Sequence, residues 1–147
     1  ENFFVEKKLP SELNIRLKKT KFIGRSIING EEFYIGNNGR LTNSKQITYE
    51  KNLPLVYGNF KVERFLELLD YLNKHKINLD KINNYYYFKN NRWDLLFIDG
   101  TLLRLPSENL NSSLKIYKNL LENKMLNFIK IIDLRIPKQI ILTNEKK

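Results

Sequence analysis

The stretch Phe128–Thr143, reading FIKIIDLRIPKQIILT, decides how this chain folds. Aliphatic and β-branched residues dominate it, and a single interruption at Ile136–Pro137 divides it into two strand-like runs, Phe128–Arg135 and Lys138–Thr143. Proline has no N–H to give to a ladder, so the interruption is read as a turn and the two runs as a pair of strands. Because the sequence stops soon afterwards, its last strand is expected at a sheet edge, with N–H and C=O groups open to a partner chain.

Working back from that pair, Asn109 to about Lys124 sets Leu110, Leu114, Tyr117 and Leu121 on one stripe, which predicts a helix begun after Pro106 and Ser107. Before it, Tyr85–Phe88, Arg92–Ile98 and Thr101–Leu105 read as strands, the last two joined at Asp99–Gly100 by a two-residue hairpin. Over Lys61–Lys76, Val62, Phe65, Leu66, Leu69 and Leu72 recur at helical spacing, with Glu63, Glu67, Asp70 and Lys74 opposite them. Asn59 is the expected N-cap, after a short extended segment Leu53–Tyr57 and Gly58.

Closer to the start there are strand signals and no helix. Asn2–Val5 is extended; a turn at Pro10–Ser11 leads into Leu13, Ile15 and Leu17, which alternate with Asn14, Arg16 and Lys18. Phe22–Ile28 and Glu32–Ile35 flank the hairpin signal Asn29–Gly30, and a turn at Asn37–Gly39 precedes Arg40–Thr42. Asn43–Asn52 is polar connecting chain. So small a meander has little to pack against, which predicts that its helices lie upstream of Glu1 in a longer protein. From Lys61 the order is helix, strands, helix, strands, with hairpins at each short connection. The expected fold class is α+β: an antiparallel or mixed β-sheet with two amphipathic helices on one face.

The chemistry available is sparse. Cysteine is absent, so disulfides and thiolate metal sites are excluded, and one histidine, His75, cannot make a histidine-rich metal centre. Flanked by Lys74 and Lys76 near a helix C-terminus, His75 reads as a solvated capping residue. Asp94 and Asp99 are the obvious carboxylate pair, but the turn accounts for Asp99 and a nearby Arg or Lys for Asp94. No glycine-rich phosphate loop, nucleophile elbow or Ser/His/Asp set occurs, so no catalytic residue, cofactor or metal site is assigned. Every hydrophobic run is broken by Lys, Asn or Asp well short of the ~20 residues that cross a bilayer.

A net charge of +10, from 26 Lys and Arg against 16 Asp and Glu, raises a nucleic-acid reading. The aromatic tract Tyr85, Tyr86, Tyr87, Phe88 and Trp93 among basic residues is its candidate surface. Against it, lysine is spread from Lys7 to Lys147, and the abundance of Lys, Asn, Ile and Tyr with no alanine matches translation of an A/T-rich genome. In a strand, moreover, half of those aromatics face the core.

Trp93–Leu95 before the Gly100 turn, Arg104–Pro106 at a strand end and Asp133–Pro137 before the last strand stand in a defined order. In that order the chain resembles the periplasmic region of the FtsQ/DivIB family of bacterial cell-division proteins, most nearly its α-proteobacterial members. Those carry a Trp-Asp-Leu strand, an Arg-Leu-Pro strand end and an Asp-Leu-Arg-x-Pro hairpin. Leu53–Gly58 looks like the entry into the family's β domain, and Leu9–Leu17 is similar to the end of its preceding POTRA domain.

The resemblance implies two parts, residues 1–48 as the strand half of a POTRA-like domain and 49–147 as an FtsQ-like β domain. It also implies a non-catalytic scaffold of the division complex, in the periplasm, held to the inner membrane by one helix outside this chain. The implied protein partners are FtsB and, through it, FtsL, with FtsB adding a strand to the last strand and the Arg of the Asp-Leu-Arg motif making a charged contact. Carried over, the partner-binding residues are Arg135, Ile136, Lys138, Gln139, Ile140, Ile141, Leu142 and Thr143. Of the latter, either Ile136, Ile140 and Leu142 or the alternate Gln139 and Ile141 face the partner's pockets, since only one parity can face the core.

Overall fold

The computed structural model describes residues 2–8, 12–48, 52–123 and 125–144, with 2–8 and 12–18 described by their backbone alone. The expected turn at Pro10–Ser11 and the helix end at Lys124 lie outside the described residues, as do the side-chain faces of Leu13, Ile15 and Leu17. Strands β1 (Asn2–Lys8) and β2 (Glu12–Lys18) form an antiparallel hairpin of their own. Then come β3 (Phe22–Ile28), β4 (Glu31–Gly36), β5 (Leu41–Asn43) and β6 (Leu55–Tyr57). Helix α1 (Val62–Lys74) leads to β7 (Ile82–Phe88), β8 (Arg92–Phe97) and β9 (Leu102–Arg104). Helix α2 (Leu110–Glu122) leads to β10 (Ile129–Asp133) and β11 (Ile141–Asn144).

Among the described residues, the strands from β3 onward join one mixed sheet of nine, in the order β11-β10-β9-β8-β7-β6-β3-β4-β5. Two parallel neighbours, β6 with β7 and β9 with β10, each enclose a helix. Both crossovers step in the same direction across the sheet, and crossovers of one hand then put both helices on the same face. Their packing agrees: Phe65 of α1 meets Tyr85 and Trp93, and Tyr117 of α2 meets Phe97, all on one side of β7 and β8. Fully burying side chains such as Phe65, Leu68 and Leu72 contributes about 1.5–3 kcal/mol each. The α+β class expected from the sequence is therefore the class observed.

Several local expectations are corrected. The strands β3 to β5 find helix cover within this chain: Ile35 lies in the same core as Phe65 of α1, and Gly24 is packed against Val56 and Phe65. The parallel pairing of β3 with β6 joins β3, β4 and β5 to the later strands, whereas among the described residues β1 and β2 form a separate two-stranded sheet. Lys61, not Asn59, is the N-cap of α1, and it makes no side-chain capping bond. The buried stripes also rotate, to Phe65, Leu68, Leu69 and Leu72 in α1, and to Ser113, Leu114, Tyr117 and Leu120 in α2, leaving Leu121 exposed. Adjacent leucines at 68/69 and 120/121 make periodicity ambiguous until the sheet sets each helix's rotation.

The two hairpin signals resolve differently. Asn29 and Gly30 both take positive φ, 51° and 80°, as a two-residue type I′ turn needs. At Asp99–Gly100 the loop has three residues instead: Gly100 N–H donates to Phe97 O at 3.0 Å, Phe97 N–H donates to Thr101 O at 2.9 Å, and Gly100 sits at φ 83°. That is a type I turn closed by a glycine bulge.

Candidate functional site

Strand β11 is the last in the sheet order, paired with β10 alone among the described residues. Its antiparallel register sets Asp133 opposite Ile141, Ile132 opposite Leu142 and Ile131 opposite Thr143. Directly opposed residues share a face. Leu142 therefore lies on the helix side, with the fully buried Ile132, and Ile141 and Thr143 lie on the open side. Both faces stay wet: Ile141 is 46% exposed and Leu142 37%.

The expected strand at Lys138–Thr143 starts three residues late. Lys138 takes φ 63°, and Gln139 N–H donates to Ile136 O at 3.1 Å. Proline at the second position and positive φ at the third make Ile136–Gln139 a type II turn. Ile136, Lys138, Gln139 and Ile140 are thus exposed turn and connecting chain, and Phe128 and Arg135 fall outside β10. Exposed apolar side chains gather around this margin: Ile136, Ile140, Ile141 and Leu142 at the edge, and Met125 and Phe128 just before β10. Phe128, at 88% exposure and φ 66°, is the most open of them.

On the open face a row of charges crosses β8, β9 and β10. Register places Arg104 directly beside both Asp94 and Asp133. Both carboxylates are buried, at 5% and 7% exposure. Arg135 grips Asp133 by three donors: its Nε lies 2.8 and 2.9 Å from the two carboxylate oxygens, a terminal nitrogen also donates, and its main-chain N–H reaches Oδ1 at 3.1 Å. Arg104 stands looser, 3.6 Å from Asp133 Oδ2 and 3.9 Å from Asp94 Oδ2. Arg92 Nε comes within 3.2 Å of Asp94 Oδ1, but misaligned, so both atoms are buried in charge contact without a hydrogen bond. The Arg92 guanidinium also caps the Phe88 ring at 4.1 Å.

These surroundings push the two acids apart. Burial raises the Asp94 carboxyl above the usual carboxylate range while Arg92 and Arg104 pull it back, and the Arg135 hydrogen bonds hold Asp133 below that range. The period-two spacing of Arg92 and Asp94 was visible in the sequence, as was a basic partner for Asp94. That Arg104 bridges two acids was not, because it depends on lateral register between strands far apart in the chain.

The other sequence candidates are dispersed. Asp99 spends Oδ1 on the Thr101 amide of its own turn. His75 is the C-cap of α1, its Nε2 2.8 Å from Asn111 Oδ1 on α2. Of the aromatic tract, Tyr85 and Trp93 are buried in the core with Tyr87 packed on Trp93, and Tyr86 stacks on Tyr57, which leaves few rings free to receive a base. Among the described residues no group of three or more His, Cys, Asp or Glu could hold a metal ion, and no helix is long and apolar enough to cross a membrane.

No curated protein matches the chain. Among solved structures it is similar to the major extracytoplasmic domain of the trans isomer of the bacterial cell-division protein DivIB from Geobacillus stearothermophilus. The two share 16% identity and a TM-score of 0.47, over 73% of this chain and 97% of that one. The sequence profile described as "Cell division protein FtsQ/DivIB, C-terminal" matches residues 27–135, from within β3 to the arginine after β10, well over half of the chain. The chain belongs to the FtsQ/DivIB C-terminal family of cell-division proteins.

Proposed function

We propose that this chain is a non-catalytic scaffold of the division complex that binds FtsB, and through it FtsL, by strand addition along β11. The observation that carries the reading is a terminal strand paired on one side only among the described residues and ringed by exposed aliphatic side chains. An incoming strand would gain main-chain hydrogen bonds for register and would cover Ile141 or Leu142 according to its parity. Arg135 and Lys138 beside the edge favour an acidic segment and speed its association. Family membership supports a place in the periplasm, tethered to the inner membrane by a helix outside this chain, with work at the septum. The two-part organisation belongs to this proposal as well. Since β3 to β5 are laddered to β6, the POTRA-like strands are best sought in the separate hairpin β1–β2, within the 1–48 segment.

Consecutive amides of an edge strand point alternately into the ladder and away from it. Ile141→Pro and Leu142→Pro therefore form a matched pair, one fraying β11 and the other removing only an outward donor. Calorimetry with the periplasmic segment of FtsB is expected to show lost binding for both, with one variant retaining wild-type thermal stability. Two folded variants that bind like wild type would refute docking at β11.

A further inference from the structure

We infer that Asp133 is the positioning residue of this edge, presenting Arg135 as a fixed guanidinium that receives a carboxylate from the incoming partner segment. The inference rests on the docking function proposed above. Read from the buried strand to the margin, charges alternate as Arg92, Asp94, Arg104, Asp133 and Arg135, and the alternation ends on a cation beside the open strand. Three guanidiniums face two carboxylates, so the member that completes the row is an anion.

An arginine normally keeps rotamer freedom whose loss a ligand must offset. Here Asp133 has already removed that freedom, because it holds Nε, one terminal nitrogen and the main-chain N–H of the same residue. The other terminal nitrogen makes no hydrogen bond among the described residues and remains to receive the partner. Arg104, laterally paired with Asp133 from β9, stands 3.6 Å from its Oδ2, so the carboxylate is in contact with two cations and is itself rooted in β10.

Charge alone and positioning predict opposite results when Asp133 is neutralised. Removing a negative group next to an acidic ligand strengthens binding by simple Coulomb attraction, whereas losing the chelate frees Arg135 and weakens it. The test uses the periplasmic segment of FtsB, with binding kinetics on the full chain carrying Asp133→Asn, Arg135→Gln or both. Expected are an about tenfold weaker Asp133→Asn variant, chiefly through faster dissociation, and a double variant no weaker than Arg135→Gln alone. Asp133→Glu keeps the charge and lengthens the arm by one methylene, so it covers the case in which Asp133→Asn fails to fold; positioning predicts weakened binding there too. Wild-type or tighter binding by a folded Asp133→Asn, unaltered binding by Asp133→Glu, or additive losses in the double variant would overturn the inference. If those results occur while the two proline variants still lose binding, only the role of Asp133 falls; if the proline variants also bind, the docking edge itself falls.

Discussion

Replacing Gly58 by alanine tests how the chain leaves β6. Gly58 takes φ 105°, and a Cβ built there would lie 2.3 Å from Tyr87 O and 3.1 Å from the Tyr87 carbonyl carbon. Both are main-chain atoms, so relief requires moving β7 against β6, where Tyr57 pairs with Tyr86. The backbone conformation alone costs a non-glycine residue about 1–3 kcal/mol. Gly30 supplies the control, because it has φ 80° but nothing within 4 Å of its Cβ position. Gly30→Ala therefore reports conformation without collision and is expected to cost about 1 kcal/mol. Gly58→Ala adds displacement of a core strand and is expected to cost about 3–5 kcal/mol, a large share of a typical net stability of 5–15 kcal/mol. Urea unfolding monitored by Trp93 fluorescence, with slopes compared to exclude a changed denatured state, gives both values. Equal losses at the two positions would refute the argument from close approach.

Other expectations follow from the same contacts. Ser26 Oγ donates to Val56 O at 2.9 Å in the interior, tying β3 to β6, so Ser26→Ala is expected to cost about 1 kcal/mol in the same urea assay. Asp133, whose native carboxyl is held low, contributes stability that is present above the unfolded value of about 3.9 and is lost as pH falls through the native value. Denaturation across an acid series is expected to show a shallower acid decline for Asp133→Asn than for wild type. Asp94 runs the other way: its raised carboxyl binds a proton more readily when folded, so its contribution grows as pH falls through that value, and Asp94→Asn removes this opposing slope.

Elements whose identity rests on local pattern were legible in the sequence. Phe22–Ile28 alternates and is β3 residue for residue, both amphipathic helices begin within one residue of their expected starts, and Asn29–Gly30 makes the turn its composition requires. What depends on neighbours distant in sequence was not. The joining of β3 to β6 couples Arg25 to Leu55 across a polar connection with no pattern of its own, so the first strands looked orphaned. The last strand was placed correctly at the end of the sheet but begun too early in the chain, because Pro137 and the positive φ of Lys138 hold Ile136–Gln139 in a turn. Arg135 and Asp133 lie two residues apart, so their pairing could be foreseen; the bridging part of Arg104 could not.

The shared side taken by the two helices has a consequence for anything laid against β11. The helical roof ends over β10, since every residue of β11 is exposed, even Leu142 on the sheltered side. A further strand would stand outside the eaves with water above and below it, and main-chain pairing alone would leave its apolar side chains unshielded. Any polypeptide that extends the sheet stably in this direction has to carry its own cover, folding part of itself back over the strand it contributes.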